Sequence, residues 1–335
     1  MNVNKNINIL ALKIWLITMF TLISSIVFVG GLTRLTESGL SITSWEVFKG
    51  ILPPLDSQEW NYYFSEYKKI PQYKLFNMGM SLDEFKTIFY WEYGHRLLAR
   101  FIGLISIIPL IYFSFKYKDF LKNYKKYFFL FFLIIFQGFV GWYMVKSGLD
   151  KNVDVSHYRL TIHLSIALII LSLSLWFLFS LNNIKKFNIK LPFKLTTVIF
   201  FLIILQIVLG AFLAGLNGGL IYNTWPDMND SFLPDDSTLN DYLSYTVLSN
   251  PSIIQFFHRV TAYLLIFFVV ILNIYFVKSG LEFKSILLFD IAILFQILLG
   301  IITLLSSVEI RYASLHQLGS IFVLGSFLFI YYKNS

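Results

Sequence analysis

The sequence predicts an all-α polytopic membrane protein of eight transmembrane helices, arranged as two pseudo-symmetric four-helix bundles. Three observations predict it: a composition that prefers hydrocarbon to water, eight apolar runs long enough to cross a bilayer, and an internal repeat that matches the first four runs to the last four.

Of 335 residues, 57% are hydrophobic, 19% aromatic and only 14% charged. That balance lies outside the range of soluble globular chains. The mean hydropathy of +0.68 makes a bilayer the relevant solvent and sends the charged minority to the loops. The chain has no cysteine, which excludes thiolate-held zinc, iron–sulfur clusters and disulfides and leaves the five histidines as the natural soft ligands. The net charge of +8 is a topology signal rather than a nucleic-acid footprint, and no nucleic-acid partner is expected.

Apolar runs of about 20 residues, the length a span needs, begin near Ile14, Glu92, Tyr127, Arg159, Leu195, Ile254, Ser285 and Tyr312. The first follows polar residues with Lys5 and Lys13 and lacks a small-residue cleavage site, so it reads as an uncleaved helix. Lys116, Lys118, Lys122, Lys125 and Lys126 lie between spans 2 and 3; Lys185, Lys186, Lys190 and Lys194 between spans 4 and 5; Lys278 and Lys284 between spans 6 and 7. The positive-inside rule puts these short loops and both termini in the cytoplasm. The segment from Asn217 to Asn250 carries Asp227, Asp230, Asp235, Asp236 and Asp241 and no Lys or Arg, so it and the long loop from Thr33 to Trp91 face outward. The aromatic content of the first loop fits a lid on the outer surface.

The halves, 1–186 and 187–335, match in one order. Ser38-Gly39-Leu40 precedes Trp45 as Gly218-Gly219-Leu220 precedes Trp225, and Leu52-Pro53 answers Leu233-Pro234. Gly30 lies nine residues before Gly39, as Gly210 does before Gly219. His95-Arg96 opens span 2 and His258-Arg259 opens span 6. Gln137-x-x-x-Gly141 answers Gln296-x-x-x-Gly300, and Gln206-x-x-x-Gly210 has the same local form. Four helices followed by a matched four make a parallel repeat about an axis near the membrane normal.

Within the repeat His95 pairs with His258 and His163 with His316, leaving His157 at a loop edge as an unrelated residue. All four lie near the outer beginnings of even-numbered spans. An intramembrane histidine points to function, the bland alternative being a hydrogen bond to a neighbouring helix. Two pairs at matched depth favour ligation. Zinc takes four ligands, or three and water, whereas haem takes one or two axial histidines in an apolar slot between helices. One haem per half follows. Arg96, Arg159 and Arg259 sit at the rim, either as propionate partners or snorkelling to headgroups. The halves differ at one telling place: Glu92-Tyr93-Gly94-His95 matches Gln255-Phe256-Phe257-His258. Glu92 and His95 share a helix face, so the first site could handle protons or a developing cation while the second moves electrons. The alternative is a glutamate favoured at a helix N-terminus by the macrodipole. Asp290, distant from this layer, reads as structural or interfacial.

Gly30-Gly31-Leu32-Thr33-Arg34-Leu35-Thr36-x-Ser38-Gly39-Leu40-Ser41, Glu92-x-x-His95-Arg96, Tyr158-Arg159-Leu160-x-x-His163-Leu164, Asn223-Thr224-Trp225-Pro226-x-Met228 and His258-Arg259 together resemble the haem A synthase family across almost the whole chain. Some members carry an outer-loop cysteine pair; this chain is similar to the cysteine-free branch. The resemblance implies oxidation of the C8 methyl of haem O to the formyl of haem A for cytochrome oxidase. It implies that His95 and His163 hold the substrate haem, that Glu92 acts near the reacting methyl, and that His258 and His316 are axial ligands to the iron of a permanent haem b. Arg34, Arg96, Arg159 and Arg259 become candidate propionate contacts. Implied partners are haem O, haem O synthase, cytochrome oxidase assembly factors, the lipid bilayer and a second copy of the chain in a homo-oligomer. The implied location is the bacterial inner membrane, with the haem sites near the periplasmic side. Because iron held by two histidines has no free position for oxygen, stepwise electron removal with water as oxygen source is the expected chemistry. A di-haem cytochrome b-type electron carrier also accounts for the histidines but leaves Glu92 and the first loop without a role; a transporter is the third reading, since parallel repeats occur there.

Overall fold

The structure is a computed structural model that describes residues 8–46, 49–117, 120–149 and 152–335. Lys5 and Lys118 lie outside the described residues. Among those described, eight helices are long and apolar enough to cross a membrane. They are α1 (Ile9–Leu35), α2 (Leu82–Lys116), α3 (Lys125–Leu149), α4 (His157–Leu181), α5 (Phe193–Gly215), α6 (Pro251–Lys278), α7 (Lys284–Leu305) and α8 (Ile310–Asn334). Helices satisfy every backbone group internally, which hydrocarbon demands, and apolar residues around their whole circumference suit lipid on one side and neighbours on the other. The chain is thus a multi-pass, all-helical membrane protein.

Seven helices begin within five residues of the expected starts. The second does not: α2 begins at Leu82, ten residues before Glu92. Ser81 caps it, with its Oγ accepting from the Glu84 amide and the Glu84 carboxylate accepting from the Ser81 amide, a capping box that sets a helix start without any need for hydrocarbon. At about 1.5 Å per residue its 35 residues run about 52 Å, well beyond an apolar layer of about 30 Å. The first long loop therefore spans 36–81 rather than 33–91.

The chain divides into two compact units, 1–181 and 182–335. In the first, α1 packs on α2 and α4, and α3 on the same two helices. The histidine-bearing α2 and α4 consequently occupy one diagonal of a four-helix bundle. The Trp15 indole nitrogen donates to the Ile105 carbonyl at 2.9 Å and locks α1 to α2. In the second unit α5 packs on α6 and α8, and α7 on α8. The remaining neighbours, α6 and α7, are joined where the Asn273 amide donates to Asp290 at 2.9 Å, which gives that acidic residue a structural partner.

The first loop has a core of its own. Trp60, Phe64 and Tyr67, four and three residues apart on the short helix Ser57–Tyr67, present one face. They pack with Leu40, Ile42 and Ile70 on Phe85 and Phe89 in the early turns of α2. Asp56 caps the short helix, accepting from the Glu59 amide at 2.8 Å. The buried Tyr67 hydroxyl donates to Gln72 at 3.0 Å and accepts from Asn77 at 2.7 Å. Leu40 lies so close to Gly148 of α3 that a Cβ there would stand 2.8 Å from its methyl groups.

Candidate functional site

Each of the four histidines in the repeated set rests on a glycine of the helix before its own. A Cβ at Gly30 would lie 3.0 Å from Cε1 of His95, at Gly141 2.9 Å from that of His163, at Gly210 3.2 Å from that of His258 and at Gly300 2.8 Å from that of His316. Only glycine lets the backbone approach an imidazole so closely. His163, His258 and His316 are the seventh, eighth and seventh residues of their helices; His95 is fourteenth because α2 starts early. His95 of α2 and His163 of α4 belong to the first unit, and His258 of α6 and His316 of α8 to the second.

Glutamine accompanies three of the rings. The side-chain nitrogen of Gln137 donates to the His163 carbonyl at 2.9 Å and reaches within 3.4 Å of its Nε2. That of Gln206 lies 3.2 Å from Nε2 of His258. Gln296 and His316 clasp each other: the Gln296 side-chain amide donates to the His316 main-chain carbonyl at 2.9 Å, while Nδ1 of His316 donates to the main-chain carbonyl of Gln296 at 3.1 Å. These contacts give a purpose to the Gln-x-x-x-Gly pattern, which the sequence displays as a repeat marker one helical turn long without announcing that both residues meet the same histidine of the next helix.

Glu92 is buried, at 3% exposure, and both its oxygens are engaged. Oε2 accepts from Ser41 Oγ and from the Ile42 amide, each at 2.8 Å. Oε1 accepts from Nε of Arg96 at 3.0 Å and from its Nη2 at 2.6 Å. As the eleventh residue of α2 it lies three turns in, so the macrodipole reading of a helix-end glutamate does not hold. Ser41 closes a motif visible in sequence, but that it and Ile42 reach Glu92 left no signal there, because a docking contact across fifty positions has no local pattern. Gln255 takes the matching place, 1% exposed, and its amide donates to the Ile221 carbonyl at 2.7 Å.

The four arginines divide by what they touch. Arg96 donates to the carbonyls of Ile42 and Ser44 at 2.7 and 2.8 Å and stacks its guanidinium 5.2 Å over Trp45. Arg259 donates to those of Tyr222 and Asp227 at 2.7 and 2.6 Å. Arg159 donates to the Tyr143 carbonyl at 2.7 Å and lies 3.7 Å from the centre of that ring. Arg34 occupies the last turn of α1, half-buried. His157 begins α4 with its ring against Tyr158 at 4.2 Å, apart from the paired set.

No cluster of three or more His, Cys, Asp or Glu placed to hold a metal ion occurs among the described residues. Two neutral nitrogens without a third ligand are a poor set for tetrahedral zinc and a natural one for the two axial positions of a haem iron. The buried Nδ1 atoms of His95, His163 and His258 lack hydrogen-bond partners, so these rings have freedom to settle around a ligand. The residues present fit haem.

The class defined so far is a polytopic helical membrane protein with two half-buried imidazoles, each seated on a glycine, in each of two units. Residues 13–328 match the family described as cytochrome oxidase assembly protein. A Heme A synthase from Pelagibacter ubique (strain HTCC1062) is 62% identical over 335 residues, covering all of both chains. A Heme A synthase from Rickettsia bellii (strain OSU 85-389) is 42% identical over 96% of this chain and 98% of its own, and one from Rhizobium rhizogenes (strain K84 / ATCC BAA-868) is 40% identical over 94% and 87%. The chain belongs to the haem A synthase family.

Proposed function

We propose that this haem A synthase oxidises the C8 methyl group of haem O to the formyl group of haem A, for use by cytochrome oxidase. Its two halves are read as pseudo-symmetric bundles, 1–186 and 187–335, that divide the work. His95 and His163 hold the substrate haem in the first; His258 and His316 hold haem b in the second. The observation that carries the division is the buried carboxylate of Glu92 three residues before His95, where the matching position is the neutral Gln255.

Haem b, when bound, supplies one-electron transfer. The other tasks fall to the chain. The glycine seats at Gly30 and Gly141 let helix backbones approach the substrate-binding imidazoles and fix the depth of the reacting edge. Glu92 places a negative charge on the same helix face as His95, suited to a methyl carbon that becomes cationic as electrons leave. Its four donors hold that charge in one place. Arg96 ties the loop segment from Ile42 to Ser44 down beside it. The oxygen of the formyl comes from one water, and the conversion releases four protons and four electrons, the electrons passing to an external acceptor. Arg34, Arg96, Arg159 and Arg259 lie toward the rim and supply positive charge for propionates, Arg96 and Arg259 with part of their forks already committed to loop carbonyls.

Loop lysines and the aspartates of 217–250 support an inner-membrane protein with cytoplasmic termini and outward-facing haem sites. Haem O synthase is the source of substrate, assembly factors the recipients, and a homo-oligomer the form in the bilayer. Purified protein given haem O and an electron acceptor in isotopically labelled water should yield haem A by mass, with the label in its formyl oxygen. A formyl oxygen taken from dioxygen would overturn the water route, and recovery of unaltered haem O would overturn the activity.

A further inference from the structure

The first loop runs down α2 and turns back, and its turn reaches the edge of the apolar layer. Arg96 donates to the Ile42 and Ser44 carbonyls, and Arg100, one turn further along the helix, to that of Glu46 at 2.8 Å. Gly50 then stands so close that a Cβ there would lie 2.8 Å from Nη2 of Arg100. The returning chain is caught where the Tyr93 hydroxyl donates to the Ile51 carbonyl at 2.6 Å. Arg96 precedes Lys116, the last residue of α2, by twenty positions, about 30 Å at about 1.5 Å each, which equals the thickness of an apolar layer. Between them only Arg100 is charged. With Lys116 at the far boundary Arg96 marks the near one, and because helix side chains lean toward the N-terminus the Arg100 guanidinium rises toward the same level.

What the turn presents at that level is apolar. Leu52 is 65% and Leu55 75% exposed, and Trp45 and Ile51 are open as well. Leu97 and Leu104, three residues before and four after Arg100 on one face of α2, are also exposed, so the loop edge continues the lipid-facing surface of the span. Main-chain groups are costly in such a place unless the protein itself pairs them. Here Arg96, Arg100 and Tyr93 take four loop carbonyls, Pro53 and Pro54 bring no N–H, and the Leu55 amide donates to Glu59 at 2.9 Å. Trp45, stacked with the Arg96 guanidinium, is the kind of side chain that belongs at a membrane boundary. The other end of the loop is different. Leu75 and Met78 are equally open, but they precede the Ser81 cap, which lies fifteen residues, about 22 Å, above Arg96 and so in water.

We propose that Trp45, Ile51, Leu52 and Leu55 form an anchor that dips into the headgroup and acyl boundary of the bilayer, and that Arg96, Arg100 and Tyr93 satisfy the main chain it takes out of water. The same stretch of loop carries Ser41 and Ile42 to Glu92, so the bilayer helps to hold that clamp in place. The anchor depends on α2 crossing the membrane and not on which porphyrin the protein binds.

Because the chain has no cysteine, single cysteines report depth without background. Spin-labelled Leu52→Cys and Leu55→Cys, each in full-length protein reconstituted into phosphatidylcholine vesicles, should collide with oxygen, which concentrates in lipid, and lose access to a water-soluble nickel chelate. Leu104→Cys on the span should behave in the same way, and Met78→Cys should show the reverse. The two loop positions are independent, so either decides if the other variant is not recovered. Nickel access equal to that at Met78→Cys would put the turn in water and overturn the proposal. Shielding from oxygen and nickel alike would mean that a protein, a second copy or another chain, covers the turn, and would overturn it as well.

Discussion

In each unit a long loop is tied to the helix that follows it by residues four apart, with opposite chemistry at the first of them. Glu92 accepts from the Ile42 amide, while Gln255 donates to the Ile221 carbonyl. Arg96 and Arg259 then grip equivalent loop carbonyls, Ile42 and Tyr222, both at 2.7 Å. The second clamp is built of neutral amides around one cation. The first buries an ion pair, with side chains 4% and 10% exposed. Burying a carboxylate and a guanidinium is seldom a gain in stability over a neutral pair. A charge retained there, three residues before His95, is the difference on which the proposed division of work between the units rests.

The comparison breaks most readily at the arginines. Arg96→Leu strands the buried Glu92 carboxylate and should lower unfolding stability by about 3–5 kcal/mol. Arg259→Leu strands only carbonyls and should cost about 1–3 kcal/mol. Denaturant titration in detergent measures both, and equal losses would deny the difference between the clamps. Glu92→Gln copies the second clamp into the first; haem content should hold while conversion of haem O falls by about a hundredfold or more. Gln255→Glu, the converse change, should leave conversion within a few-fold of normal yet loosen the loop by setting a carboxylate against the Ile221 carbonyl, which limited proteolysis of 217–250 would reveal.

The glycine seats allow a finer comparison. Gly300→Ala brings a methyl to 2.8 Å from the His316 ring and Gly210→Ala one to 3.2 Å from that of His258. Overpacking of this kind costs about 1–3 kcal/mol, so haem retention should suffer more in the former, as equilibrium transfer to apomyoglobin can report. The smallest effect concerns pH. In the first loop burial, and then the nearby Glu46 carboxylate, push the Tyr63 phenol up to about 12, where its hydroxyl donates to Glu46 at 3.1 Å. A raised value means the contact contributes fully below the ordinary tyrosine range near 10 and is lost as pH rises through about 12. Proteolytic nicking of 36–81 should therefore increase in that window, and Tyr63→Phe should remove the step.

The eight spans, the repeat and the four histidines were legible in sequence because hydrophobic run length and a rare residue at matched depth need no knowledge of partners. The start of α2 was not, since the Ser81 and Glu84 cap precedes amphipathic turns that serve the loop rather than the bilayer. Trp60, Phe64 and Tyr67 gave the loop its aromatic character in sequence, but that they pack on Phe85 and Phe89 depends on folding back across the chain. The Glu92 and Gln255 contrast was visible as a difference in charge; the reversal of donor and acceptor toward the loop was not, because it involves main-chain atoms at Ile42 and Ile221. The glutamine and glycine spacing was in view, yet what it grips lies on another helix.

Identification by mass of the porphyrins extracted from protein purified with haem O tests the central claim most directly. With both histidine pairs intact, the account predicts haem b together with haem O or haem A. His95→Ala with His163→Ala should leave haem b alone, and His258→Ala with His316→Ala should leave haem O unconverted with haem b gone. Loss of the same porphyrin from both double variants, or no porphyrin from the intact protein, would contradict it.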